Sequence, residues 1–314
     1  MAGGAPFLVW EPIEAPSPCP HIPGNGPDMP HNDAPASAPH QLRRTAPRSV
    51  LLLLLFAALV ALLPGVTGMA GSSVWALPLG VVMAALGLWV YRLAVHRIEG
   101  RQALELSGEG ASRDTGWGLS VGIGMFTVTI ATIALLGGYR VTGWGSFESF
   151  LAMCGLMCAV AVAEELLFRG VLFPILERAA GTWWALAISS ALFGGLHLVN
   201  PNASLWGALA ICLQAGLLLG AAYVATRSLW LPIGLHLGWN LAQAGIFGTA
   251  VSGSEDAFDG LLNGETIGLP VISGGAFGPE GSVVAVLFCA VVTVYLLRVA
   301  RLKGHIVPRS GSRS

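Results

Sequence analysis

Hydrophobic and polar positions divide most of the chain into long apolar stretches separated by short polar segments. About 20 apolar residues in a helix are enough to cross the ~30 Å hydrocarbon core of a bilayer. The pattern therefore predicts an all-α polytopic membrane protein with about eight transmembrane helices. The predicted spans are residues 49–68, 74–95, 117–138, 147–176, 182–199, 204–225, 229–248 and 281–300.

The same pattern predicts the organisation of the chain. Residues 1–48 are rich in proline and have almost no apolar periodicity, which is typical of a disordered tail. Beyond the tail, we assign 49–138 to N-terminal transmembrane helices, 147–248 to a central group of transmembrane segments, 249–280 to an acidic loop, and 281–314 to the last helix with a basic tail.

Composition supports the membrane assignment. Hydrophobic residues make up 54% of the 314 residues and charged residues only 11%, whereas soluble domains average about 25% charged residues. The net charge of −1 gives no indication of a nucleic-acid partner, and none is expected. Membrane lipid is the partner that the composition implies.

The positions of the basic residues predict the orientation. The loop 249–280 contains acidic residues and no Lys or Arg. Because Lys and Arg concentrate on the cytoplasmic side, we expect both termini to be cytoplasmic and this loop to lie outside. Arg140, in the short third loop, is the exception. The protein is then a multi-pass integral membrane protein, of the plasma membrane if it is bacterial. The basic residues on the predicted cytoplasmic side are Arg43, Arg44, Arg48, Arg92, Arg97, Arg101, Arg178, Arg227, Arg298, Arg301 and Lys303.

Three of the apolar stretches carry polar groups that lipid disfavours. A charge at the bilayer centre costs several kcal/mol, so such groups usually face a cavity and have a function. The sequence therefore predicts a polar active-site cavity within the helix bundle. The residues are Glu164, Glu165 and Arg169 in the fourth stretch, His197 in the fifth, and His236 with Asn240 in the seventh.

Helical spacing separates the two adjacent glutamates. Glu165 and Arg169 are i,i+4 neighbours and can form an ion pair, whereas Glu164 lies about 140° away from Arg169 around the helix. We expect Glu164 to be the carboxylate that is left for chemistry. By the same i,i+4 spacing, Phe193 shares a face with His197, and His236 shares one with Asn240.

Helix rise allows these groups to meet. At about 1.5 Å per residue, Glu164, His197 and His236 lie roughly 21, 22 and 13 Å from their cytoplasmic helix ends. All three then fall in the middle band of the membrane. Each also has a structural alternative, because an intramembrane histidine or asparagine can join helices by hydrogen bonds and a buried ion pair can fix a helix.

The three motifs, in this order on successive apolar segments, resemble the CAAX protease and bacteriocin-processing (CPBP, or Abi) family, which includes the prenyl-protein endopeptidase Rce1. They are EExxxR (Glu164, Glu165, Arg169), FxxxH (Phe193, His197) and HxxxN (His236, Asn240). The resemblance covers residues 147–248 and implies that they form a CPBP-like catalytic core. It implies that Glu164, His197, His236 and Asn240 line the active site, with Glu165 and Arg169 supporting it.

The resemblance implies an intramembrane endopeptidase. Glu164 would take a proton from a water held with His197, and His236 and Asn240 would stabilise the oxyanion. The alternative is a zinc-activated water, with Glu164, His197 and His236 as ligands; the residues leave this choice open. The substrate would be a membrane-associated protein or peptide, either prenylated at a CAAX-type C-terminus or bacteriocin-like.

Two other classes of protein are consistent with the same residues. A proton-coupled transporter also buries Glu and His in the membrane, but no second EExxxR or HxxxN copy indicates an internal repeat. A non-catalytic membrane scaffold or immunity protein would use the polar cavity for binding alone.

Overall fold

The computed structural model describes residues 38–254 and 259–309, and these residues fold into an almost entirely helical bundle. Residues 1–37 of the predicted tail lie outside the described residues. The longer helices are α1 (Ala38–Gly68), α2 (Ala76–Ala94), α3 (Ala111–Leu135), α4 (Phe147–Glu165), α5 (Phe173–Ala180), α6 (Thr182–Leu196), α7 (Leu205–Ile211), α8 (Leu217–Thr226), α9 (Trp230–Asn240) and α11 (Val283–Leu302); α10 (Pro270–Ser273) is a single turn. Two strands, β1 (Tyr139–Trp144) and β2 (Leu262–Thr266), complete the fold.

Several of these helices continue through turns of wider π-helix. Such turns follow α2 at Val95–Glu99, join α4 to α5 at Leu166–Leu172, join α7 to α8 at Cys212–Gly216, and follow α9 at Leu241–Ile246. Short 3-10 turns lie at Leu104–Leu106, His197–Val199, Gly275–Phe277 and Pro279–Gly281.

Seven of the predicted spans coincide with long helices, although α3 begins at Ala111 instead of residue 117 and α1 begins at Ala38 instead of residue 49. Between residues 38 and 309, leaving out 255–258, seven helices are long and apolar enough to cross a membrane. The stretch predicted at 229–248 is the exception. It forms the 11-residue α9 and six π-helical residues, which is near the lower limit for crossing the hydrocarbon core. The all-α polytopic membrane fold is thus confirmed, and the count of eight depends on this helix.

The boundary between tail and bundle differs from the prediction. We assigned residues 38–48 to a disordered tail, but α1 begins at Ala38 and includes them. Ala38, Gln41, Leu42, Arg43 and Arg44 are good helix formers, so the segment can extend the apolar helix although it contributes little apolar surface. The apolar pattern marks where a helix enters the membrane and gives no information on how far it continues outside.

Two long segments form the centre of the bundle. In the most apolar window of Phe147–Ala180, 61% of residues are buried inside the protein, and the value is 72% for Leu205–Thr226. For the first three helices and α11 it is 22–33%. The two long segments therefore pack against protein on most sides. The first three helices and α11 turn most of their apolar surface outward, where lipid would cover it.

Helices α3 and α9 approach each other closely through glycines on both sides. A Cβ at Gly122 would lie 2.4 Å from the Leu235 carbonyl oxygen, and one at Gly238 would lie 2.3 Å from the Leu119 carbonyl oxygen. Small residues at four-residue spacing allow this kind of backbone contact between membrane helices. The contact fixes α9, which carries His236 and Asn240.

Arg140, the basic residue that opposed the predicted orientation, lies on β1 and faces an acidic residue of β2. The two strands pair antiparallel, and Arg140 lies opposite Glu265 in the register. The Arg140 guanidinium contacts the Glu265 carboxylate at 2.8 Å. The cation in the third loop is therefore neutralised by the acidic loop 249–280, and the two loops lie on the same side of the bundle.

Candidate active site

The polar residues of the apolar stretches lie at helix ends and interruptions. Glu164 and Glu165 end α4, and Arg169 lies in the π-helical turn that follows. His197 follows the last residue of α6, and Asn240 ends α9. Single turns of π-helix occur mostly as bulges, frequently at functional sites. Such turns direct side chains into the bundle that a continuous α-helix would direct elsewhere.

Glu165 and Arg169 form the predicted ion pair. Arg169 Nη1 lies 2.8 Å from Glu165 Oε1, and both side chains are buried. Arg169 Nη2 also donates to the Gly216 carbonyl oxygen at 3.0 Å. The guanidinium lies over the Phe193 ring, 4.7 Å from its centroid. Arg169 thus links α4 to the π-turn before α8 and to α6.

His236 lies between the two glutamates. Its Nδ1 is 3.1 Å from Glu165 Oε1, and its Nε2 is 3.8 Å from Glu164 Oε2. An ionised carboxylate can only accept, so we assign the Nδ1 proton to the bond with Glu165. Glu165 therefore orients His236 as well as pairing with Arg169. Helical spacing predicts different roles for the two glutamates, but it does not predict that the His236 imidazole lies against both of them.

His197 is oriented by its own helix. Its Nδ1 lies 2.8 Å from the Phe193 carbonyl oxygen. Because a carbonyl only accepts, Nδ1 carries the proton and Nε2 is the nitrogen that can act on a ligand. The Phe193 ring lies 5.1 Å from the His197 ring and 6.1 Å from the His236 ring, measured between centroids. Phe193 therefore packs between the two histidines.

One cleft brings four of the predicted residues together. Phe193, His197, His236 and Asn240 all line it. Most of its remaining walls are apolar. Glu164 is not among the residues that line the cleft; it is partly buried, and its Oε2 lies 3.8 Å from Nε2 of His236, which does. Side chains from the end of α6 and from α9 therefore meet in the cleft, and Glu164 of α4 contacts one of them, His236.

Glu280 is a site residue that the sequence analysis missed. We grouped it with the acidic loop outside the membrane, but it is 3% exposed and lines the same cleft as His197 and His236. Burial raises the pKa of its carboxyl, and the Ser252 N–H and the His197 ring act in the opposite direction. The available signal was its position between Pro279 and Gly281, at the point where the last apolar stretch, 281–300, begins. Glu255 and Asp256 of the same loop lie outside the described residues.

The three candidate zinc ligands, Glu164, His197 and His236, do not surround a common point. Among residues 38–254 and 259–309, no three His, Cys, Asp or Glu side chains are grouped closely enough to hold a metal ion. Glu164, His197 and His236 therefore do not fit a tetrahedral zinc ion in this arrangement.

Comparison with known proteins identifies one family. Residues 146–242 match the family described as Rce1-like, type II CAAX prenyl endopeptidase Rce1-like. No curated protein and no solved structure matches the chain significantly.

The match covers the segment that contains EExxxR, FxxxH and HxxxN, and it ends before Glu280. Such a family indicates a protease, and hence a protein or peptide substrate in a membrane environment. The apolar helices are consistent with that environment. Residues 146–242 therefore relate the chain to the CPBP/Rce1 family of CAAX-type intramembrane endopeptidases.

Proposed function

We propose that the protein hydrolyses a peptide bond of a membrane-associated substrate, with Glu164, His197, His236 and Asn240 as its catalytic residues. The observation that supports this most directly is the single cleft lined by both histidines and Asn240. These side chains come from two helices that are remote in the sequence, and Glu164 contacts one of them. Hydrogen-bonding groups gathered in an otherwise apolar cleft are the usual form of an enzyme site.

Charge balance suggests the state of His236. Glu164, Glu165 and Arg169 together carry one net negative charge, and buried charges are costly unless they are compensated. An imidazolium at His236 would neutralise the group, with Nδ1–H donating to Glu165. Nε2–H would then be available to a developing oxyanion, alongside the Asn240 amide. Preorganised donors of this kind commonly contribute 10²- to 10³-fold to a rate.

The hydrolytic step then proceeds without a covalent intermediate. His197 Nε2 accepts a hydrogen bond from the water, and Glu164 removes the other water proton. The water oxygen bonds to the scissile carbonyl carbon, whose oxygen becomes the oxyanion held by His236 and Asn240. When the C–N bond breaks, the proton passes from Glu164 to the leaving nitrogen. The products are a carboxylate-terminated and an amine-terminated peptide.

The substrate class follows from the surroundings of the cleft. Its apolar walls and its position within the bundle favour an extended segment of a lipid-anchored or membrane-bound peptide over a soluble one. A prenylated CAAX-type C-terminus and a bacteriocin-like peptide are both consistent with this. We propose the prenylated class first, because the matched family is described as a prenyl endopeptidase.

Purified protein in detergent provides the test. Wild type, Glu164→Gln and Glu109→Gln are assayed on quenched peptides with and without a farnesyl group near the C-terminus. Glu109 is an exposed carboxylate away from the cleft, so its variant should retain wild-type activity. We expect Glu164→Gln to lose about 10²-fold or more.

A parallel assay with a chelator tests the metal alternative. We expect the rate to be unchanged, because the three candidate ligands are not grouped around a common point. Loss of activity on chelation, restored by zinc, would contradict the glutamate-base mechanism. Failure of well-folded wild type to cleave any peptide would favour a scaffold or a transporter.

A further inference from the structure

Glu280 is a buried carboxyl that has no part in the chemistry proposed above. It lies in the 3-10 turn Pro279–Gly281, just before α11, and it is outside the segment that matches the family. Burying a carboxyl is unfavourable unless other groups compensate it. A residue of this kind in the wall of a candidate active site therefore calls for an explanation.

Hydrogen bonds hold the backbone in place at Glu280 and at the residue that follows it. Gln214 Nε2 donates to the Glu280 carbonyl oxygen at 2.9 Å, and Trp206 Nε1 donates to the Gly281 carbonyl oxygen at 2.7 Å. Gln214 lies in the π-turn between α7 and α8 and itself lines the cleft. The direction of the Glu280 side chain is therefore set by the same helices that form the cleft.

The carboxyl of Glu280 is linked to the segment that carries His197. Its Oε1 accepts a hydrogen bond from the Ser252 N–H. Ser252 has a left-handed φ of 51°, a conformation that costs a non-glycine residue on the order of 1–3 kcal/mol. The Ser252 carbonyl oxygen accepts from Asn200 Nδ2 at 2.6 Å. Asn200 directly follows the His197–Val199 turn, so Ser252 connects the two segments.

The carboxyl of Glu280 also shares the cleft with the imidazole of His197. Both residues line it, so a charge on the carboxyl acts on the imidazole across the cleft. The His197 Nδ1 proton is already bound by the Phe193 carbonyl. The remaining nitrogen, Nε2, is therefore the one whose strength as an acceptor a neighbouring negative charge can increase.

We propose that Glu280 is a positioning residue for His197. Its carboxylate lies in the wall of the same cleft as the imidazole, and its charge strengthens Nε2 as the acceptor that holds the attacking water. This inference rests on the proposed function in that it assigns His197 the role described above. The electrostatic effect of Glu280 on His197 can nevertheless be measured independently of any activity.

The variant Glu280→Gln removes the negative charge of the side chain and preserves its size. Glutamine keeps an oxygen that accepts from Ser252 N–H and keeps the volume of the side chain, but it has no negative charge. We expect kcat to fall about tenfold, a part of the 10²- to 10⁴-fold that positioned acid–base groups supply, with KM and thermal unfolding nearly unchanged. Glu265→Gln, which removes a surface carboxylate of the same loop, should retain the wild-type kcat.

A double variant tests whether Glu280 acts through His197. In a His197→Ala protein, whose residual rate is measured, we expect Glu280→Gln to produce no further loss, since coupled residues are not additive. Additive losses would overturn the proposal. Loss of kcat in Glu280→Ala with full activity in Glu280→Gln would also overturn it, because the role would then be to support the Ser252 turn.

Ring-¹⁵N NMR of the histidines provides the readout that does not need activity. The His197 signals are assigned by comparison with His197→Ala. We expect Glu280→Gln to shift them and Glu265→Gln to leave them in place. Unmoved His197 signals would overturn the proposal whatever the kinetics. If Glu280→Gln shifts the His197 signals but the wild-type protein cleaves no peptide, the effect of Glu280 on His197 would be supported and the proposed function contradicted.

Discussion

At the scale of single residues, Glu165 and Arg169 determine whether the site can form. Glu165 Oε1 contacts both Arg169 and His236, while Glu165 Oε2 is one of two buried side-chain oxygens in residues 38–254 and 259–309 that have no hydrogen-bond partner. A single oxygen of the Glu165 carboxylate, Oε1, therefore makes both contacts. Because Arg169 holds this oxygen in place, Arg169 is necessary for the orientation of His236, although it does not line the cleft.

Removing only one member of this pair should be more harmful than removing both. Breaking a buried ion pair typically costs about 3–5 kcal/mol, since it leaves an uncompensated charge. We expect Arg169→Met to lower the thermal unfolding temperature in detergent strongly, and Arg169→Met with Glu165→Gln to recover part of the loss. Activity should remain low in both, because neither protein has the Glu165 carboxylate and Arg169 together to hold His236. Equal unfolding temperatures for the single and the double variant would contradict this account.

The sequence was informative about residues related by helical spacing. Glu165 with Arg169 and Phe193 with His197 are each four residues apart, so one turn of helix brings each pair into contact. Glu280 is different, because its place in the cleft depends on the path of the whole segment 249–281 and on the left-handed turn at Ser252. No periodicity in the sequence encodes such a contact.

At the scale of elements, the interface of α3 and α9 controls where His236 lies. The spans were predictable from apolar length alone, since crossing the hydrocarbon core requires it. The π-helical turns after Glu165 and Asn240 were not predictable, because no residue pattern marks a single wider turn. The glycines that bring α3 and α9 together explain how a short α9 is held at a fixed depth.

Two glycines of α3 provide a matched test of this interface. A Cβ at Gly122 would meet the Leu235 carbonyl oxygen at 2.4 Å, whereas one at Gly124 would meet nothing within 4 Å. We expect Gly122→Ala to destabilise the protein by about 1–3 kcal/mol, as overpacking does, and to reduce peptide cleavage by displacing His236. Gly124→Ala should be neutral or slightly stabilising, because alanine favours helix. Unfolding in detergent and cleavage rates are measured for both, and equal effects would argue against a backbone contact at Gly122.

At the scale of the whole molecule, the predicted orientation determines from which side a substrate approaches. The Arg140–Glu265 pair removes the one basic residue that conflicted with cytoplasmic termini. In the predicted orientation that pair lies on the outer side, and the loop that carries Glu280 would approach the cleft from outside the membrane. His197, at the end of α6 remote from Thr182, lies towards the same side. A substrate cut in the cleft from the cytoplasm would then have to enter between helices.

This orientation can be measured with single cysteines in a protein whose native cysteines are replaced by alanine. Leu269 is 65% exposed in the loop between β2 and α11, and Leu302 is 89% exposed at the opposite end of α11. In intact bacterial cells that express the protein, a membrane-impermeant maleimide should label Leu269→Cys and not Leu302→Cys. Both should be labelled after the cells are broken, which confirms that each thiol is accessible. The reverse pattern in intact cells would invert the topology. Glu280 and its loop would then lie on the cytoplasmic side, and the cleft would open directly to cytoplasmic C-termini.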